Sequence, residues 1–156
     1  MSPCQMAWIL VLVSLPWPTV AELEIKRWNP EGLSQPDGYS QVVTVEGHYK
    51  TIYLGGKAGV RADGSVPATL AAQSDLIFEN IRLALADAGA EPKDVVDIQI
   101  FIVDLEKIDP DPVYEDVRKF FPPGHKPTSM VIGVSALAYP ELQVEINVTA
   151  VVPSED

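Results

Sequence analysis

The strictest pattern in the chain is near its end, where Leu142, Val144, Ile146, Val148 and Ala150 alternate with Gln143, Glu145, Asn147 and Thr149. A period of two is that of a strand with one face buried, so residues 142–151 are predicted as a strand. Val95–Val103 repeats the pattern, with Val96, Ile98, Ile100 and Ile102 on one face and Asp97, Gln99 and Phe101 on the other. Between Thr69 and Ala88 the period changes. Leu70, Ile77, Phe78, Ile81, Leu85 and Ala88 recur at spacings of three, four and seven, and Asp75, Glu79, Arg82 and Asp87 fall elsewhere, as on an amphipathic helix. Gly89 stands in the place of a left-handed cap, and Pro92 prevents the helix from resuming. The β-branched and aromatic runs Val42–Val45 and Thr51–Leu54 read as a hairpin turning through Glu46-Gly47-His48. Residues 55–64 carry four glycines and read as a loop, without the Gly-Lys-Ser/Thr of a phosphate loop. Asp109-Pro110-Asp111-Pro112 starts a short helix carrying Val113, Val117, Phe120 and Phe121, which Pro122-Pro123-Gly124 ends. Thr128–Val134 is a further strand. Hairpin, long helix, strand, short helix, strand, strand is an α+β order with helices on one sheet face. The polar row Gln143, Glu145, Asn147 and Thr149 then faces solvent or lines an intersubunit surface or cleft.

Composition narrows the function. The 156 residues suit one domain, and 47% hydrophobic against 21% charged residues supply a core. Twenty-two acidic and eleven basic residues give a net charge of -11, which disfavours nucleic acid and anionic membrane surfaces as partners. One cysteine, Cys4, and two histidines, His48 and His125, argue against thiol chemistry and a metal site. Both histidines read as exposed and structural. The apolar run 7–17 is shorter than the ~20 residues of a transmembrane helix. It has the length of a signal-peptide core, and Thr19-Val20-Ala21 offers a cleavage site, but residues 2–6 hold no Lys or Arg. Residues 1–21 are thus an extension of a cytoplasmic protein or a leader of an exported one, preceding a domain over 22–156. Asn147-Val148-Thr149 forms a glycosylation sequon inside a strand, where a glycan would clash.

Five short segments occur in a characteristic order: Gly38-Tyr39-Ser40-Gln41, Tyr53-Leu54-Gly55-Gly56, Phe78-Glu79-Asn80-Ile81, Pro127 through Val134, and Leu142-Gln143-Val144-Glu145-Ile146. Together they resemble the reactive-intermediate deaminase (RidA, or YjgF) family across residues 24–152. The resemblance implies a chorismate-mutase-like α+β single domain, with a mixed sheet carrying two helices on one face. It also implies a homotrimer with small-metabolite clefts between subunits, where 2-imino acids are hydrolysed to 2-keto acids and ammonia without metal or organic cofactor. The implied ligand-binding residues are Tyr39, Gly55, Gly56, Ser129 and Met130, with Glu145 as the catalytic group that positions water.

One position departs from the family. Two residues after the proline before the penultimate strand, family members usually carry an arginine that grips the substrate carboxylate; here Pro127-Thr128-Ser129-Met130 places Ser129 there. A hydroxyl supplies neither the charge nor the paired hydrogen bonds of a guanidinium, and losing such a partner of a desolvated charge costs about 2–5 kcal/mol. Lys126 and Lys57 are the candidate substitute cations, set against a reading of both as surface lysines. Three functions follow for comparison: a deaminase or hydrolase with a substrate other than an ordinary 2-imino acid, a ligand-binding trimer without turnover, and a ribonuclease, which the charge of -11 opposes.

Overall fold

The computed structural model describes residues 21–154; the apolar run 7–17 and the rest of segment 1–20 lie outside the described residues. Six strands, β1 (Glu24–Trp28), β2 (Val42–Glu46), β3 (Tyr49–Ala58), β4 (Val95–Val103), β5 (Thr128–Val134) and β6 (Val144–Pro153), accompany two helices, α1 (Leu70–Asp87) and α2 (Asp111–Phe120). The main sheet has the order β3-β6-β4-β5. β6 pairs antiparallel with β3 and β4, whereas β4 and β5 are parallel and are joined by α2, as a parallel pair requires. This is the expected α+β domain with a mixed sheet.

Both helices cover one face of the sheet. Ile77, Ile81 and Leu85 of α1 are fully buried against Ile98 and Ile102 of β4 and Val144 and Ile146 of β6, which are the apolar halves of the two alternating patterns. Phe78 and Phe120 lie 5.0 Å apart and join α1 to α2. The start of α1 is capped by Thr69, whose hydroxyl accepts from the Ala72 N–H at 3.2 Å. At its end Gly89 adopts φ +78°, the left-handed geometry expected from the sequence.

Three expectations are corrected. First, β2 and β3 form no hairpin: β2 pairs with β1 in a separate two-stranded sheet, and β3 pairs with β6. The competitor is β1, whose charged, five-residue sequence EIKRW carries little apolar signal. The chain crosses between sheets at Gly47, where φ is +102° and a Cβ would come within 2.8 Å of the Glu22 carbonyl carbon. Second, the glycine-rich stretch is not a loop from its start, because β3 continues through Gly55 and Gly56 to Ala58, with a register shift between Leu54 and Lys57. Glycines at such a bulge let the strand bend while still pairing. Third, His125 is half-buried, whereas His48 is exposed.

Leu142 and Gln143 precede β6 and are held by a buried polar side chain that carries no apolar signal. Gln73 of α1 is fully buried. Its Nε2 donates to the carbonyls of Pro67 at 2.9 Å and Glu141 at 2.8 Å, and its Oε1 accepts from the Gln143 N–H at 2.8 Å. A buried amide so satisfied ties two loops to one helix.

Candidate functional site

Tyr114, Val117, Arg118 and Phe121 follow the i, i+3, i+4, i+7 spacing of one helical row, beside the row that buries Val113 and Phe120. The chain turns at Pro122-Pro123-Gly124, with Gly124 at φ +80°, and passes His125 and Lys126 into β5. Between this row and the start of β5 is a cavity of about 710 Å³. Ser129 and Val131 of β5 line it, as do Gly38 and Tyr39. The Ser40 N–H donates to the Pro127 carbonyl at 2.9 Å, anchoring the Tyr39 loop to the foot of β5.

His125 builds the cavity wall. Its Nε2 lies 2.9 Å from the Val95 carbonyl, an acceptor, so Nε2 carries the proton. Its ring stacks on Phe121 at 5.2 Å. Burial holds the imidazole below its usual pKa, and the hydrogen bond to Val95 opposes that shift. Arg27 donates from Nη2 to the same carbonyl at 3.4 Å, and burial lowers its pKa also.

The other candidates occupy a different surface. On the sheet face away from the helices, Tyr53, Gly55 and Gly56 of β3 line a hollow of about 410 Å³ with Asp97, Gln99 and Asn147. Gln99 Nε2 donates to the Asp97 carboxylate at 3.1 Å, and the Thr128 hydroxyl donates to the Val96 carbonyl at 3.1 Å. Glu145 projects onto the same face, paired across β6 with Ala58 and Phe101. A Cβ on Gly56 would land on the Glu145 carboxylate and 3.2 Å from Asn147 Oδ1. Glycine there is what lets the carboxylate lie against the strand.

The sequence-derived residues thus fall into two groups within one chain. Tyr39 and Ser129 share the α2 cavity, and Gly55, Gly56 and Glu145 gather at the open face. Met130 alternates with Ser129, pairs with Gln99 and is 42% exposed, so it belongs to the open face. Lys126 lines the α2 cavity because it precedes β5 in a loop, outside the strand alternation. Lys57 pairs with Ile146, on the helix-covered side, and lines neither space. The sequence reading missed Tyr114 and Arg118; their signal was the second row of α2, obscured by the stronger apolar row. Among the described residues no three His, Cys, Asp or Glu side chains are disposed to hold a metal, and no helix is long and apolar enough to cross a membrane.

Comparison with known proteins agrees with this architecture. The family model described as Endoribonuclease L-PSP matches residues 32–152. A RutC family protein of Aquifex aeolicus is 30% identical over 115 residues, covering 72% of this chain and 87% of the relative. A 2-iminobutanoate/2-iminopropanoate deaminase of Dermatophagoides farinae is 33% identical over 106 residues, covering 66% and 78% respectively. Among solved structures, YyfB of Yersinia pestis, a Rid-family protein described as of unknown function, superposes with a TM-score of 0.72 at 29% identity, covering 82% of this chain and 98% of that one. With the family pattern matched over nearly the whole described fold, the chain belongs to the Rid/YjgF family, whose model bears the name endoribonuclease L-PSP.

Proposed function

We propose that three copies of this chain assemble into a homotrimer and bind a small metabolite in the clefts between them. There they hydrolyse the C–N bond of an imine other than the short 2-imino acids. The observation that carries this reading is the separation of the family's site residues. Tyr39 and Ser129 line the α2 cavity, while Gly56 and Glu145 meet at the open face, so a second copy is what would unite them. Exposed apolar residues support association: Met130, Val131 and Ile132 on the edge strand β5 are 42%, 36% and 37% exposed, and closed symmetry is the usual way to cover such an edge. The imine chemistry is supported by the Dermatophagoides farinae relative, which is named a deaminase of small imino acids.

In this reading Glu145 takes a proton from water as the oxygen attacks the imine carbon, and the nitrogen gains a proton. The carbinolamine then collapses: the C–N bond breaks, ammonia leaves, and the oxygen becomes the carbonyl of the product. Ser129 sets the substrate apart, since it offers no guanidinium to a carboxylate. The same substitution favours a second reading, a trimer that binds its ligand without turnover. Light scattering should give about three times the chain mass, and a monodisperse monomer would remove the shared cleft. Ammonia release from imines generated by an amino-acid oxidase separates enzyme from binder. Ser129→Arg should raise hydrolysis of short 2-imino acids by about tenfold, equal to ~1.4 kcal/mol of barrier, and adding Glu145→Ala should abolish the gain. A folded, trimeric Ser129→Arg protein that stays inert favours binding alone.

A further inference from the structure

We infer that the α2 cavity is a binding site for a carboxylate with an aromatic body, and that Arg118 is the residue that selects its charge. The inference rests on the reading of this cavity as a ligand site under Proposed function, and it names the ligand class and the cation. Of the eleven Lys and Arg residues, eight have hydrogen-bond or ion-pair partners, often carboxylates. Lys119, for example, lies 3.4 Å from Glu115 and 3.5 Å from Asp116. Lys57, Arg118 and Lys126 have none among the described residues, and Arg118 and Lys126 line the same cavity. In a chain of net charge -11, two unpaired cations at one cavity make a local site for an anion. Asp37 is the acidic residue of the lining, and it leaves the balance positive.

The geometry gives the body of the ligand as well. Arg118 is in the last turn of α2, in the same row as Tyr114, Val117 and Phe121, and across the cavity from the strand that carries Ser129. The cation therefore comes from the helix that crosses between β4 and β5 instead of from β5 itself. Tyr39, Tyr114 and Phe121 supply aromatic walls, and the stacking of His125 on Phe121 at 5.2 Å holds one of them in place. A guanidinium grips a planar carboxylate through two parallel hydrogen bonds, whereas the Lys126 ammonium adds a point charge.

Calorimetric titration of the full chain with phenylpropionate, propionate and phenylpropanol varies head and body separately. Phenylpropionate should bind at least about tenfold more tightly than either of the others. Arg118→Gln should weaken phenylpropionate by about tenfold and leave phenylpropanol unchanged; Arg118→Lys should recover part of the loss, and Lys126→Gln should cost about two- to threefold. Arg118 is exposed and Lys126 half-buried, and circular dichroism checks that the variants are folded. Phenylpropionate binding that is equal in wild type and Arg118→Gln overturns the role of Arg118. Propionate binding as tightly as phenylpropionate overturns the aromatic body. A trimer that hydrolyses imines yet binds no phenylpropionate overturns this inference and leaves the proposed function standing. A monomer without turnover that binds phenylpropionate through Arg118 does the reverse.

Discussion

The two faces of β6 have opposite characters on one backbone. Val144, Ile146 and Ala150 are fully buried and Val148 nearly so, whereas Glu145, Asn147 and Thr149 are half-buried, the last two lining a polar hollow. The covered face packs against α1 and excludes water, so its residues are interchangeable only with others of the same volume and polarity. The open face meets no helix. Its constraint is local: the bulge and glycines of β3 leave room for the Glu145 carboxylate. Stability therefore depends chiefly on one face, and chemistry is free to change on the other.

Adjacent substitutions in β6 give the sharpest contrast. Ile146→Asp places an unpaired charge among fully buried side chains and should cost about 5 kcal/mol or more, enough to unfold a typical domain. Asn147→Asp, one residue along, should cost less than ~1 kcal/mol. Urea denaturation of the two variants checks this, and equal losses would mean that the faces are not distinct.

Two glycines extend the contrast beyond β6. Gly59 is buried, and a Cβ there would lie 2.7 Å from the backbone of Gln73. Gly59→Ala must therefore push β3 from α1, at a cost of about 1–3 kcal/mol. At Gly56 the obstacle is the flexible end of Glu145, so Gly56→Ala should change stability by less than ~0.5 kcal/mol while displacing the carboxylate. Thermal denaturation measures the first effect. Imine turnover or ligand titration measures the second, and a Gly56→Ala protein with full activity would remove Glu145 from its assigned role.

His125 gives the smallest expected effect and links the cavity wall to pH. Burial lowers its pKa from 6.5 in the folded state, so below that value the unfolded chain binds the proton first. Stability is then greatest above pH 6.5 and declines as pH falls from 6.5 toward the folded-state pKa, below which this contribution is constant. His125→Phe keeps an aromatic ring beside Phe121 and removes the titration. Its stability should fall less than that of wild type between about pH 7.5 and 5.5, as read by denaturant midpoints at each pH. Parallel slopes would mean that the imidazole does not contribute.

Local periodicity determined the elements whose sequences carry strong apolar repeats. α1 with its Gly89 stop, β4, α2, β5 and most of β6 were legible because each repeat identifies a single face to bury. The same alternation placed Glu145 opposite the core, and the family's segments marked Tyr39, Gly55, Gly56 and the exchange at Ser129. Pairing partners were decided only in three dimensions. β2 and β3 are adjacent in sequence and suited to a hairpin, yet β1 takes one and β6 the other, because pairing energy depends on which strands the whole fold brings alongside. Tertiary structure also decided that Gly55 and Gly56 continue a strand, that Gln73 bridges two loops, and that Arg118 shares a cavity with Ser129. Each of these depends on contacts between segments distant in sequence, where the spacing of residues along the chain carries no information about their spacing in space.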